Sequence, residues 1–89
     1  MLSPRQLEKI VKGFSNHRRI QILELLDTHP DLSVLDISGK LKINYKTISE
    51  HLRRMERAGL ITKTNRGVTV GHAHTLLGLI ILKFLRILE

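Results

Sequence analysis

Apolar residues recur every three or four positions in five separate segments of the chain, and this spacing predicts five helices. Residues that cap or end helices stand at the borders of these segments. The expected borders are Ser3 with Pro4, Asn16, Pro30, Ser33 with Asp36, Asn44 and Gly59. The first four helices therefore follow one another closely between residues 3 and 58, and the fifth begins near His74.

Between the fourth and fifth helices the pattern changes from helical to β-prone. Residues 60–64 and 68–70 are rich in Ile, Thr and Val, and Asn65-Arg66-Gly67 separates them. A glycine in a three-residue link is typical of a hairpin, and Gly71 is expected to end the second strand. The predicted fold class is mainly α with a small β-hairpin, in the order ααααββα, and residues 1–89 are expected to form a single domain.

The third and fourth helices, within about residues 33–58, are joined by a tight connection and predict a helix-turn-helix. On the fourth helix, Ile48, Leu52 and Met55 share one apolar side. Charged residues occupy an arc of roughly 60° on the opposite side. They are Lys46, Glu50, Arg53 and Arg57. A helix about 10–12 Å wide fits the major groove of B-form DNA, so this pattern predicts a DNA-reading helix at residues 45–58.

The distribution of charge strengthens this interpretation. The chain has 15 Lys and Arg against eight Asp and Glu, a net charge of +7. Residues 40–66 hold eight basic and two acidic residues, so +6 of the +7 falls in this segment. Positive charge gathered in one segment favours a polyanionic partner, and double-stranded DNA is the partner that we predict.

Individual roles can be predicted on the fourth helix. Arg53 is long enough to contact O6 and N7 of a guanine, whereas Arg54 and Arg57 are placed to reach the phosphate backbone. Glu50 is suited either to accept from cytosine N4 or to orient Arg53 or Arg54, and both roles stay open.

The hairpin and the start of the helix complete the predicted contact set. Lys63 and Arg66 in the hairpin could enter or straddle a narrow minor groove. Tyr45 falls at the border of the apolar side, so packing and DNA contact both stay open for it. The predicted DNA-contacting residues are Asn44, Tyr45, Lys46, Thr47, Ser49, Glu50, Arg53, Arg54, Arg57, Lys63 and Arg66.

Three segments of the chain resemble the ArsR-type regulators. Their opening pattern is similar to FSNHRRIQILELL at residues 14–26, their recognition-helix pattern to NYKTISEHL at 44–52, and the following step to RAGLI at 57–61. The resemblance implies a winged helix-turn-helix transcription regulator, usually a homodimeric repressor, whose wing is the hairpin at about 60–70. A two-fold dimer would place two recognition helices about 34 Å apart to read an inverted repeat.

The last predicted helix, about residues 74–88, is apolar nearly all round, since ten of the thirteen residues from Leu76 to Leu88 are apolar. A small domain can cover one face of such a helix, and a second copy of the chain is the simplest cover for the other. We expect the first helix to join this contact and Gly78 to permit close approach. The predicted dimer interface is Leu7, Ile10, Val11, Phe14, Leu77, Gly78, Ile81, Leu82 and Leu85. The helix is too short to cross a bilayer, which needs about 20 residues.

Several other functions are not expected. The chain has no cysteine, and neither a Ser/His/Asp order nor paired carboxylates indicate an enzyme. His72 and His74 resemble half of a metal site of the same family, but Lys83 and Arg86 stand where further ligands would be needed. We therefore predict no metal and no cofactor, and the sequence identifies no small-molecule ligand.

The sequence also predicts the cellular location of the protein and leaves one alternative function open. The amino terminus has no apolar signal stretch, which predicts a cytoplasmic protein. The alternative is a winged-helix interaction module of a larger assembly, which would use its apolar last helix to bind another protein.

Overall fold

The computed structural model contains five α-helices and one two-stranded antiparallel sheet, in the predicted order ααααββα. It describes residues 1–89, with the exception of the side chain of Arg66. The elements are α1 (Pro4–Phe14), α2 (His17–Thr28), α3 (Val34–Leu41), α4 (Tyr45–Arg57), β1 (Ile61–Arg66), β2 (Thr69–His74) and α5 (Leu76–Ile87). The predicted fold class, mainly α with one hairpin, is confirmed.

The helices begin where the sequence places capping residues. Ser33 and Asp36 form a capping box at the start of α3, because each side chain accepts a hydrogen bond from the backbone N–H of the other. Asn16 caps α2, where its Oδ1 accepts from the backbone N–H of Arg18 at 2.9 Å. These caps satisfy N–H groups that a helix cannot satisfy internally, so they fix where each helix starts.

The core surrounds α2, which packs against α1, α4, α5 and β2. The buried apolar residues of this core come from every helix and from the start of the hairpin. They are Phe14, Ile22, Leu23, Leu26, Ile37, Ile48, Leu52, Met55, Leu60, Ile61 and Leu82. The apolar side predicted for the fourth helix is thereby confirmed as a core face.

The hairpin is longer than the sequence predicts. Its register runs from the Ile61–His74 pair to the Arg66–Thr69 pair, so only Gly67 and Val68 form the turn. The prediction that Gly71 ends the second strand is wrong, because Gly71 lies within β2 opposite Thr64. A Cβ at this position would come within 2.5 Å of the carbonyl oxygen of Asp31. The glycine therefore allows β2 to pass close to the segment between α2 and α3.

The start of α5 is tied to the residues that follow α4. Thr75 caps α5, since its Oγ1 accepts from the N–H of Gly78 at 3.1 Å. The same hydroxyl donates to the carbonyl of Gly59 at 2.5 Å, and the Thr75 N–H donates to the carbonyl of Leu60 at 3.0 Å. A Cβ on Gly78 would collide with the Leu60 carbonyl oxygen. Gly78 thus permits close approach within one chain, rather than between two chains as predicted.

Two further residues of the predicted dimer interface also lie inside the chain. Leu82 is 1% exposed and Phe14 is 8% exposed, and both belong to the core. The prediction that they contact a second copy is therefore wrong, because atoms of their own chain already cover them. The sequence could not reveal this, since a helix that is apolar nearly all round does not show which face turns inward.

The exposed face of α5 is a stripe of apolar residues with helical spacing, which we call the α5 stripe. It consists of Leu76, Ile80, Phe84 and Ile87. The predicted interface residues Leu77, Ile81 and Leu85 lie beside it and pack partly against the core, as does Ile10 in α1. Leu7 and Val11 are exposed on α1. No helix of the described chain is long and apolar enough to span a membrane.

Candidate nucleic-acid interface

The turn between α3 and α4 is held by local hydrogen bonds. Lys42 adopts a left-handed conformation with φ 56°, which ends α3 and redirects the chain. The hydroxyl of Ser38 donates to the carbonyl of Ile43 at 2.5 Å, and the Ile43 N–H donates to the Ser38 carbonyl at 3.1 Å. Asn44 then caps α4 by accepting from the N–H of Lys46 at 2.8 Å. The turn therefore fixes the direction in which α4 leaves α3.

The helix α4 has one buried face and one exposed cationic face. Ile48, Leu52 and Met55 are buried, and the predicted contact residues lie on the side that faces solvent. The exposed ones are Asn44, Tyr45, Lys46, Thr47, Arg53, Arg54 and Arg57, and the half-buried ones are Ser49 and Glu50. Tyr45, for which the sequence left two roles open, is 51% exposed. The structure thus brings all the predicted residues of this helix onto one accessible surface.

Glu50 organises two arginines on this surface. Arg53 donates to one carboxylate oxygen of Glu50 through Nε at 3.2 Å and also through Nη2. Arg54 donates to the other oxygen through Nε at 2.9 Å. These hydrogen bonds, the one from Arg53 first, lower the pKa of Glu50 from 4.5 to about 2, so its carboxylate is ionised at neutral pH. Of the two roles left open for Glu50, the geometry of the free protein favours the orientation of arginines.

The hairpin forms the second side of the surface. Lys63 is exposed, and its Nζ lies 4.0 Å from a carboxylate oxygen of Glu56 on α4. A groove of about 250 Å³ separates the hairpin from α4, and both Arg53 and Lys63 line it. The two cations therefore face the same groove, together with the carboxylate of Glu56. The side chain of Arg66, which the sequence places at the tip of the hairpin, lies outside the described residues.

One side-chain contact of α4 could not be predicted from the sequence. Arg19 near the start of α2 donates through Nε to Nδ1 of His51 at 3.2 Å and through Nη1 to the carbonyl of Lys12 at 2.8 Å. Partial burial and, next, the positive charge of Arg19 lower the pKa of His51, which keeps its ring neutral and able to accept. The contact spans 32 positions in sequence, so no local pattern reveals it.

The two histidines of the hairpin are engaged separately. His72 is 4% exposed, and its Nδ1 donates to the carbonyl of Leu32 at 2.9 Å. His74 lies 3.4 Å from Asp27, whose other carboxylate oxygen accepts from Arg86 at 2.8 Å. Among the residues that the structure describes, no group of three His, Cys, Asp or Glu is placed to hold a metal ion.

A turn-linked helix pair, a cationic outer face on its second helix and an adjoining two-stranded hairpin together define a winged helix-turn-helix domain. Residues 15–62, more than half of the chain, match the winged helix-turn-helix DNA-binding family. The chain belongs to this family. The match agrees with the prediction of a DNA-binding protein rather than an enzyme.

One relative of this chain is similar to it both in sequence and in structure. The chain is 37% identical over 62 residues to the transcriptional activator HlyU of Vibrio cholerae, a match that covers 68% of this chain and 56% of HlyU. The chain thus spans little more than half of that curated relative. The structure of reduced HlyU from the same organism has a TM-score of 0.78 at 29% identity, and covers 96% of this chain and 90% of that one.

The chain is also similar to a protein whose structure is a dimer. This is the solution structure of a homodimeric winged helix-turn-helix DNA-binding domain from Mycobacterium bovis, described as a possible ArsR-family transcriptional regulator. The TM-score is 0.77 at 25% identity, and the match covers 100% of this chain and 93% of that one. Close structural neighbours of this fold therefore include a homodimer.

Proposed function

We propose that this protein is a sequence-specific regulator of transcription that binds double-stranded DNA with α4 in the major groove. The observation that carries the proposal is the division of α4 into a buried apolar face and an exposed face with Lys46, Arg53, Arg54 and Arg57. Side chains near the start of the helix read base edges, and the wing contacts the backbone beside it. HlyU, a relative at 37% identity, is named a transcriptional activator, which supports a regulatory role.

The roles of single residues follow from their positions. Arg53 is the residue best placed to read a guanine, and Glu50 holds its guanidinium in a fixed orientation before DNA arrives. Asn44, Tyr45, Lys46, Thr47 and Ser49 contact DNA near the first turn of the helix. Arg54, Arg57, Lys63 and Arg66 contact the phosphate backbone.

We infer that the active form is a homodimer of the ArsR type in the cytoplasm and that residues 1–89 act as one domain. The apolar α5 stripe supports the dimer, because four large side chains in a row at the surface favour contact with another protein surface. The homodimeric neighbour from Mycobacterium bovis supports a second copy as that surface. In a two-fold dimer, the two α4 helices read an inverted repeat, and bound protein represses transcription by blocking polymerase.

The experiment that tests the proposal starts by selecting binding sites from a random pool of duplexes. Enriched sequences with two-fold symmetry are the expected result. Affinity for an enriched duplex is then measured over a range of salt concentrations, and log K should fall linearly with log salt, because phosphate contacts release counterions. A flat plot would contradict DNA binding. Transcription in vitro should fall as protein is added, whereas a rise would assign an activating role.

A second candidate function is a module that binds another protein within a larger assembly. The α5 stripe favours it, because the same exposed side chains would serve a different partner. Light scattering separates the two functions. A defined dimer supports the regulator, and a monomer that does not select DNA supports the module.

A further inference from the structure

A groove between the carboxyl-terminal ends of α1 and α4 gathers cations from three helices, and we call it the α1–α4 groove. It has a volume of about 250 Å³. Its lining consists of Lys9, Lys12, Gly13, Arg19, Arg54, Arg57 and Ala58, with no carboxylate among the described lining residues. Gly13 and Ala58 form its floor, since a Cβ on Gly13 would collide with that of Ala58. Because these two residues are small, the long side chains of the lysines and arginines form the walls of the groove.

The centre of the groove is held in place by Arg19. Its hydrogen bonds to the Lys12 carbonyl and to His51 connect α1, α2 and α4. Partial burial, followed by repulsion from Arg54, lowers the pKa of the Arg19 guanidinium. The nearest carboxylates stand outside the lining: Glu8 pairs with Lys12 at 3.6 Å, and Glu50 pairs with Arg54. The potential in the groove is therefore positive.

Helix dipoles explain only part of this concentration of charge. Lys12, Arg54 and Arg57 lie in the last turns of α1 and α4, where a cation is worth about 0.3–1 kcal/mol. Arg19 lies in the first turn of α2, where the dipole disfavours a cation and no acidic residue offsets it. The hydrogen bonds of Arg19 to the Lys12 carbonyl and to His51 hold its positive charge at this position in the groove.

The position of the groove relative to α4 identifies the anion. When a recognition helix enters the major groove by its amino-terminal end, its later residues rise away from the bases. Arg54 and Arg57 lie about 12 and 16 Å beyond Lys46 along the helix axis, in the last turns of α4, where this helix and α1 line the groove together. The same two arginines belong to the exposed cationic face of α4, so the groove adjoins the surface that we propose to contact DNA.

We propose that the α1–α4 groove receives the phosphodiester backbone of DNA outside the major groove, so that Lys9, Lys12 and Arg19 extend the contact surface beyond the helix-turn-helix and the wing. The inference rests on the proposed function. The groove is an open channel, which suits a continuous polyanion better than an enclosed small ligand.

The test measures the slope of log K against log salt for charge-neutralised variants on a selected duplex. Each lost phosphate contact reduces the slope by about 0.9, and the proposed dimer contains each residue twice. Lys12→Gln should therefore reduce the slope by about 1.8 and the Lys9→Gln/Lys12→Gln double variant by about 3.6. Affinity should fall by a similar factor on every sequence, because backbone contacts carry no sequence information. Arg86→Gln is the control, since this exposed arginine lies on α5 away from the α5 stripe, pairs with Asp27 and should leave the slope unchanged.

A second arm varies the length of the duplex. Adding base pairs outside the selected site should raise the affinity of the wild type until the backbone fills the groove, and the double variant should stop gaining at a shorter length. Circular dichroism and thermal unfolding verify that the variants fold. If the wild type depends on salt while the double variant keeps its slope and its length dependence, the groove is not a DNA contact and the role of α4 stands. A wild type with a flat salt plot overturns both proposals.

Discussion

Phe84→Ala is the sharpest test of the α5 stripe as the dimer interface. Phe84 is 49% exposed. An aromatic side chain has about 150–250 Å² to bury, so about 100 Å² of apolar area remains open on each chain. At about 25 cal/mol per Å², its burial would contribute about 2.5 kcal/mol per chain. A two-fold interface contains the residue twice, which gives about 5 kcal/mol as an upper value.

The assay is sedimentation equilibrium of the wild type and of Phe84→Ala. Ordering costs reduce the gain from buried area, so we expect the dissociation constant of the dimer to rise roughly 10³-fold rather than by the full value. The single chain should lose about 1–2.5 kcal/mol of folding free energy, because the other half of this side chain is buried against its own chain.

Leu82→Ala is the comparison variant, because Leu82 is buried in the core whereas Phe84 is half exposed. Leu82 is 1% exposed and lies two positions away on the same helix, so its truncation should cost about 2–5 kcal/mol of folding free energy. Urea unfolding measures this loss. If Phe84→Ala folds normally and its dimer dissociates at the wild-type concentration, the α5 stripe is not the interface and the reasoning from its exposure is refuted.

Four further predictions concern the DNA-reading helix and the framework. Arg53→Ala should cost about 1–3 kcal/mol of DNA binding and relax the preference at one base pair, and equal losses on all sequences would contradict base reading. The pKa of Glu50, lowered to about 2, stabilises the folded state above about pH 4.5, and this contribution should be lost as the pH falls toward 2. A carboxyl NMR titration with a midpoint near 4.5 would contradict its ion pairs. Gly71→Ala should destabilise the fold by about 1–3 kcal/mol, because its Cβ would meet the Asp31 carbonyl, and an unchanged melting temperature would refute this. Asn16→Ala should cost about 1 kcal/mol through the lost cap of α2, as measured by urea unfolding, with Asn16→Asp as a control that retains the cap.

The helices were predictable because their signals are local. Capping residues lie within three positions of the N–H groups that they satisfy, as Ser33 and Asp36 do for α3. The two faces of α4 were predictable for a similar reason. Its apolar and charged residues differ clearly, and the helical period alone separates Ile48 from Arg53.

The remaining errors arise from contacts that are distant in sequence. Gly71 was expected to end a strand, but the close approach of Asp31 explains the glycine, and the two residues are far apart along the chain. The inward face of α5 depends on the Leu60 carbonyl, against which Gly78 packs. In a segment with ten apolar residues out of thirteen, every face has the same composition, so the pattern carries no information about its rotation.

The hydrogen bonds of Thr75 have a consequence for the geometry of a dimer. They join the first turn of α5 to Gly59 and Leu60, which directly follow the helix that carries Arg53. Because these hydrogen bonds tie the start of α5 to the residues that follow α4, a rotation of α5 about its partner in the proposed dimer would carry α4 with it. In that dimer, substitutions in the α5 stripe would change the half-site separation that the protein accepts without touching a nucleotide.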